Sequence, residues 1–302
     1  MSRSTTNLLG ILITIAAGTY FFLMYCSECR TPQRDERISG VSARAEAPAA
    51  TSYPFALSYP DFNLEIARNF DFGESSASFK TPVDAKVDAG IGRLRQYLGE
   101  HGDKLLLITG FYTSGESNQT AFPNLGIARA HAVKDYMTSQ GIASAQLRMD
   151  ARLQNEMVPE HAVFRGPVAY ALATASEEER ARIHALYDRL KEDPLVLYFN
   201  TAEASIDLDD AQRKKFLDLM TYMDLEPEAR CLVTGHTDDS GQRNTNLALG
   251  LERANFARDY LIGNGIDRNR IRTDSKGPDE PIAPNDSEEG QALNRRTVIT
   301  LQ

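Results

Sequence analysis

Tryptophan is absent from this 302-residue chain, and cysteine and histidine are scarce, with three and five copies. Zinc sites need clustered ligands. His101, His131, His161, His184 and His236 are scattered without ligand spacing, so neither a metal centre nor another cofactor is expected. Cys26 and Cys29 form a C-x-x-C, but no strand–helix pattern surrounds it, which argues against a thioredoxin-like redox motif. In an oxidising compartment this pair is free to form a disulfide, within or between chains. Cys231 sits in an apolar run and reads as a small core residue. A basic excess is missing too. The net charge is −9, which disfavours nucleic acid as a partner because such binding requires a basic footprint.

Long apolar runs are nearly absent, with one exception at Leu8 to Tyr25. It holds about 18 uncharged residues, near the lower limit for spanning a bilayer. Tyr20, Phe21, Phe22 and Tyr25 crowd its end, as expected at a membrane interface. No small-x-small cleavage site comes directly after it, since Ala43-Arg-Ala45 lies far beyond. The bulky Leu-Met-Tyr before Cys26 argues against a lipoprotein cleavage site. Residues 1–30 are therefore expected to be an uncleaved transmembrane signal anchor. Flanking charge leaves its orientation open, with Arg3 before the run and Arg30, Arg34 and Arg37 after it.

Residues 31–60 are rich in Ala, Ser, Pro and Arg without apolar periodicity, and read as a flexible linker. Its root-mean-square span is roughly 30 Å, and about 100 Å when stretched. The aromatic stretch Tyr53-Pro-Phe55 and Tyr59 is open to packing on the first folded unit. That unit, 61–175, has strands predicted at Leu64 to Phe72, Leu105 to Thr109, Leu147 to Leu153 and Val168 to Leu172. Helices are predicted at Val83 to His101 and Leu125 to Gln140. A charged helix over 176–193 opens on a capping box, Ser176 with Glu179. A second unit, 194–302, repeats the order. Its strands fall at Leu195 to Phe199, Cys231 to Thr234, Arg270 to Ser275 and Thr297 to Leu301, and its helices at Asp209 to Met223 and Thr245 to Asn264.

The repetition extends to letters. Gly126 to Ile142 aligns without gaps to Gly250 to Ile266, pairing Arg129 with Arg253, and Ile108-Thr-Gly110 matches Val233-Thr-Gly235. The chain therefore reads as two copies of one α+β fold, the first much diverged.

The second unit carries the most chemical order. The run Leu232-Val-Thr-Gly-His-Thr-Asp238 delivers a carboxylate to a loop, and an amphipathic helix comes next with Asn246 and Arg253 on one face. A planar guanidinium holds a carboxylate bidentately, and a carboxylate holds an ammonium. A ligand bearing both groups on one tetrahedral carbon matches this pair. The bland alternative has Asp238 capping its own turn and Arg253 bridged to an internal acid. Asn246 could cap the helix or touch ligand, and Asn294-Arg295-Arg296 could bridge structure or support ligand. His236 reads as loop packing, with no Ser or Cys nucleophile arranged beside it.

The segment Thr234-Gly-His-Thr-Asp238, with Gly241, Asn246, Leu249 and Arg253-Ala254, resembles the OmpA-like peptidoglycan-binding domain. The tail agrees at Gly277, Pro281-Ile-Ala, Asn285, Gly290 and Asn294-Arg295-Arg296, while Gln291 and Gly250 depart from the common pattern. The resemblance implies two tandem βαβαβ(β) sandwiches, helices on one face of a mixed sheet, after one transmembrane helix. It implies a non-catalytic envelope protein of a Gram-negative cell, anchored singly in the inner membrane with its body in the periplasm. It implies peptidoglycan as partner, with diaminopimelate of the peptide stem held by Asp238 and Arg253. Asn246 and Arg296 are expected as further contacts.

The first unit lacks that site. Between Gly110 and Gly126 the only acid is Glu116, Phe122 falls where Asn246 aligns, and Phe164-Arg165-Gly166 replaces the Asn-Arg-Arg signature. Phe111, Tyr112 and Phe122 look exposed there and suggest a docking surface for another envelope protein. An alternative whole-chain reading is a subunit of a larger envelope, motor or secretion complex. Proton conduction is disfavoured, because the apolar run has no ionisable group. Wall hydrolysis is disfavoured too, because Asp238 and Asp239 are sequence neighbours that need not converge.

Overall fold

The computed structural model describes residues 49–199, 206 and 208–302. The expected membrane anchor, the C-x-x-C and most of the expected linker lie outside the described residues, as does the Glu179 side chain of the expected capping box. Among the described residues no helix is long and apolar enough to cross a membrane.

The N-terminal lobe opens with an antiparallel hairpin, β1 (Phe55–Tyr59) and β2 (Phe62–Ile66). This corrects two expectations. The linker does not run to residue 60, and the strand expected over Leu64 to Phe72 is instead the second arm of the hairpin plus a short strand β3 (Phe72–Gly73). Alternate residues explain the hairpin: Phe55, Leu57, Phe62 and Leu64 turn inward and are almost fully buried. Helix α1 (Ala85–Glu100) buries Val87, Ile91, Leu94 and Leu98, the stripe its spacing predicts, and Asp84 caps it through Lys86 N.

Strand β4 (Lys104–Tyr112) is central. It pairs in parallel with β5 (Leu147–Leu153) and antiparallel with β7 (Val168–Thr174). Helix α2 (Leu125–Ser139) crosses between β4 and β5, and β6 (Val163–Phe164) pairs with β3. Helix α3 (Glu177–Glu192) leads to the C-terminal lobe.

That lobe holds β8 (Leu195–Tyr198), α4 (Asp210–Leu225), β9 (Cys231–His236), α5 (Arg243–Gly263), β10 (Ile271–Gly277), α6 (Glu288–Asn294) and β11 (Arg296–Leu301). Its sheet order is β10-β9-β11-β8, with β9 and β10 parallel and the other pairs antiparallel. Asp209 and Gln212 form a reciprocal capping box on α4. Cys231 is fully buried in β9, as its apolar neighbours suggest, and burial raises its thiol to about 11.

Both lobes repeat one close crossing of helix on strand. A Cβ on Gly110 would collide with the carbonyl oxygen of Gly126, and one on Gly235 with that of Gly250. Only glycine lets the helix backbone approach the strand this closely. The crossing sets the first turn of α2 beside the end of β4, and α5, about two turns in, beside the end of β9.

The lobes share buried apolar surface. Ala121, Phe122, Ile127 and Ala128 join one cluster with Phe216, Leu219, Met220 and Met223 of α4. Phe122 lies 5.6 Å from the Phe216 ring. Lys134, buried on α2, pairs with Asp224 of α4, and Ser144 Oγ donates to Asp224 at 3.0 Å. The docking expectation for Phe111, Tyr112 and Phe122 is corrected accordingly. Phe122 is 4% exposed because it faces the other lobe, and Phe111 packs on Met157, Phe164 and Tyr53. Tyr112 is only half-buried, but it has lost both neighbours that would have made a patch.

Candidate functional site

Asp238 lies just past the last residues of β9, where the chain leaves the sheet. One carboxylate oxygen, Oδ1, accepts from Ser240 N at 3.0 Å, closing a tight turn. The other, Oδ2, accepts from Arg295 Nη1 at 3.0 Å. Burial pushes the Asp238 carboxyl up, but the Arg295 guanidinium and the Ser240 donors outweigh it and hold the pKa below the usual range. Asp238 is therefore a fixed anion at neutral pH.

Arg253 comes from the third turn of α5 and is 9% exposed. Its guanidinium lies 5.7 Å from the Phe199 ring, and Nη1 reaches the His236 carbonyl only at 3.4 Å. Among the described residues no carboxylate lies within ion-pair distance of it. Burial lowers its pKa, and the field of Asp238 only partly offsets this. A buried guanidinium with no carboxylate in contact among the described residues is free to donate to an external one.

Asn246 is buried inside α5 and does not cap it; the cap position is Gln242, without a side-chain bond. Its Nδ2 donates to the carbonyls of Asp238 and Ser240, at 3.2 and 3.1 Å, and so braces the Asp238 turn. Arg296 is 5% exposed and donates through Nη2 to the Glu280 carbonyl at 3.1 Å, while Nη1 is buried without a partner. Burial lowers its pKa as well. Asn294, fully buried, binds Ile282 N, Ala283 N and O, and Asn285 Oδ1, fixing the loop before α6.

Arg295 is the residue that sequence reasoning passed over in favour of its neighbour. It ties Asp238 to Glu288, with Nη2 at 2.6 Å from Glu288 Oε1. His236 is 4% exposed, in keeping with packing, and burial with the nearby Arg296 lowers its pKa to about 4.

The matching place in the N-terminal lobe is closed. Arg129, aligned with Arg253, is fully buried and forms an ion pair with Glu116, whose side chain is 1% exposed. Arg129 Nη1 also donates to the Phe111 carbonyl at 2.8 Å and Nε to the Ser76 carbonyl at 3.1 Å. Rings of Phe72 and Phe164 flank it. Glu116 is further pinned by Thr113 N and Ser75 N. Arg129 is thus held within its own lobe, and its acid is the one carboxylate of that loop. A separate cleft of about 220 Å³ lies in this lobe beside Tyr53, Arg68, Asn69, Asp71 and Arg165. The carboxylate of Asp71 is already engaged there by Arg165.

Residues 198–295 match the OmpA family, so the chain carries an OmpA family domain there. It is similar to the probable lipoprotein YiaD of Escherichia coli (strain K12), 44% identical over 75 residues, 25% of this chain and 34% of that protein. It is similar to the peptidoglycan-associated lipoprotein of Rhizobium meliloti, 37% identical over 106 residues, 35% of this chain and 58% of that protein. It is also similar to the outer membrane protein Omp38 of Acinetobacter baumannii, 26% identical over 197 residues, 63% of this chain and 55% of that protein. The chain thus spans less than two thirds of each of these relatives. Among solved structures, the peptidoglycan-associated lipoprotein from Burkholderia pseudomallei is 29% identical, with 35% of this chain and 89% of that one covered at a TM-score of 0.32.

Proposed function

We propose that the OmpA family domain makes this chain a non-catalytic, peptidoglycan-binding protein of the cell envelope. Arg253 takes the carboxylate, and Asp238 the ammonium, of the free end of diaminopimelate in a peptide stem. Asn246 and Arg296 brace the loops that carry this pair. The observation that carries the reading is the contrast between two aligned arginines. Arg129 has an internal carboxylate in contact, whereas Arg253 is nearly as buried and has none among the described residues. The names of relatives such as the peptidoglycan-associated lipoprotein support the ligand class.

The N-terminal lobe is a diverged copy of the same fold whose site is filled by its own Glu116. The similar helix–strand crossing at Gly110 and Gly126 supports this duplication. The apolar run from Leu8 to Tyr25 serves as a single inner-membrane span, leaving both lobes in the periplasm as a tether to the wall. The relatives named as lipoproteins favour a second route, lipid on Cys26. Mass measurement of the mature protein separates the two, since lipidation would remove residues 1–25 and add acyl chains.

Sedimentation of the full-length protein with purified peptidoglycan tests the site. A charge-assisted bond contributes about 1.5–3 kcal/mol, so Arg253→Gln is expected to weaken binding by roughly 10- to 100-fold. Undiminished binding by this variant would remove Arg253 from the site.

A further inference from the structure

Asp238 does not orient itself. Its carboxylate plane is set by two donors on opposite sides, Ser240 N at 3.0 Å from Oδ1 and Arg295 Nη1 at 3.0 Å from Oδ2. A carboxylate held at one oxygen swings about its terminal torsion, which is broad and soft. Held at both, it presents its remaining lone pairs in one direction.

Arg295 is itself held. Its second terminal nitrogen donates to Glu288 Oε1 at 2.6 Å, and Glu288 stands in the first turn of α6. Arg295 is 9% exposed, so it is a fixed strut rather than a surface chain. The three groups sum to one net negative charge, counting Asp238 and Glu288 against Arg295. The trio therefore carries an excess of negative charge, while Arg253, within its field but not in contact with it, donates to the His236 carbonyl.

We propose that Arg295 is a positioning residue, anchored by Glu288, which aims the Asp238 carboxylate at the ammonium of the ligand without touching the ligand itself. This role rests on the peptidoglycan reading of the site and extends it to the short helix α6. Arg295 then fixes the direction from which an ammonium can enter.

A positioning role has a signature that a merely structural one lacks. Loss of Arg295 harms recognition of the ammonium and spares recognition of the carboxylate. Two probes separate these: an L-alanyl-γ-D-glutamyl-diaminopimelate tripeptide, and the analogue lacking the terminal amine but keeping the terminal carboxylate. Both are titrated calorimetrically into the full-length protein. Arg295→Gln is expected to weaken the amine-bearing probe by about tenfold and leave the desamino probe within about twofold, as loss of one charge-assisted contact implies. Arg295→Lys, which keeps a donor and the charge, is expected to recover most of that loss. Because Arg295 is buried, Glu288→Gln provides a second variant at an exposed carboxylate. It is expected to weaken the amine-bearing probe alone, by about two- to threefold.

Equal loss of both probes in Arg295→Gln, or no loss of either, would overturn the proposal. Failure of both probes to bind the unaltered protein would instead sink the peptidoglycan reading, and this inference with it.

Discussion

Two arginines at aligned positions of the two lobes have opposite fates. Arg129 is enclosed by Glu116, backbone carbonyls and two aromatic rings, and nothing is left for a visitor. Arg253 keeps the aromatic neighbour and a carbonyl but has no acid among the described residues. A buried guanidinium is costly unless paired. The N-terminal lobe meets that cost from within its own chain. In the C-terminal lobe no carboxylate among the described residues lies in contact with it. A loop acid thus separates the two aligned arginines, because Glu116 meets Arg129 and no described carboxylate meets Arg253.

The largest effect is expected from breaking the closed pair. Glu116→Gln leaves a fully buried guanidinium without its counter-charge and should cost about 3–5 kcal/mol in urea unfolding. Adding Arg129→Met to that variant should restore much of the loss, because an apolar side chain of similar size leaves no orphaned charge. Arg253→Met in the other lobe should leave stability unchanged or slightly raised. A loss there as large as that of Glu116→Gln would erase the distinction between the lobes.

A somewhat smaller effect is expected between the lobes. Phe122 fills the place where the second lobe's aligned position holds Asn246, and it packs on Phe216 rather than bracing a loop. Phe122→Ala should cost about 3 kcal/mol, at the low end for a buried aromatic. It should also split a single calorimetric transition into two. One sharp transition at unchanged temperature would mean that this contact does not couple the lobes.

The smallest effect concerns pH. His236 is buried neutral, with its pKa lowered to about 4 by burial and by the Arg296 guanidinium. In the unfolded chain the same ring takes up a proton near 6.5. Between about pH 6.5 and 4 the unfolded state therefore binds more protons, and stability falls on acidification by something on the order of 1 kcal/mol from this residue. His236→Gln should flatten that slope. Thermal unfolding tracked from pH 7 to pH 4.5 reads it directly, and an unaltered slope would assign the acid sensitivity to other groups.

Much of the fold was legible because apolar spacing is a local signal. Strand β5 falls where the letters place it, and α1, α2, α4 and α5 lie within a few residues of their expected bounds. The failures also have local causes. Strand β1 hides in a stretch that reads as linker by composition, and its Phe55 and Leu57 become core only when β2 folds back on them. Helix α6 has seven residues with only Ala292 and Leu293 apolar, too little for a stripe. Phe111 and Phe122 lie in loop-like sequence and gave no sign of what would cover them.

In the site, Asp238 and Arg253 stood out by residue type and spacing. The choice between Arg295 and Arg296 did not. Adjacent residues entering a strand point to opposite faces, and letters alone do not say which face meets the Asp238 loop. Glu116 was visible as the lone acid of its loop. Its meeting with Arg129, thirteen positions away, required the loop to fold back over α2.

The sequence by itself determined the order of most strands and helices, the glycine pairs that allow close crossing, and the carboxylate and guanidinium of the candidate site. These depend on side-chain period and on the absence of a Cβ, which are properties of neighbours in the chain. Only the tertiary structure decided which arginine would meet Glu116, which would hold Asp238, and which would meet no carboxylate among the described residues. Those outcomes depend on the distances between groups from separate elements, which packing alone sets.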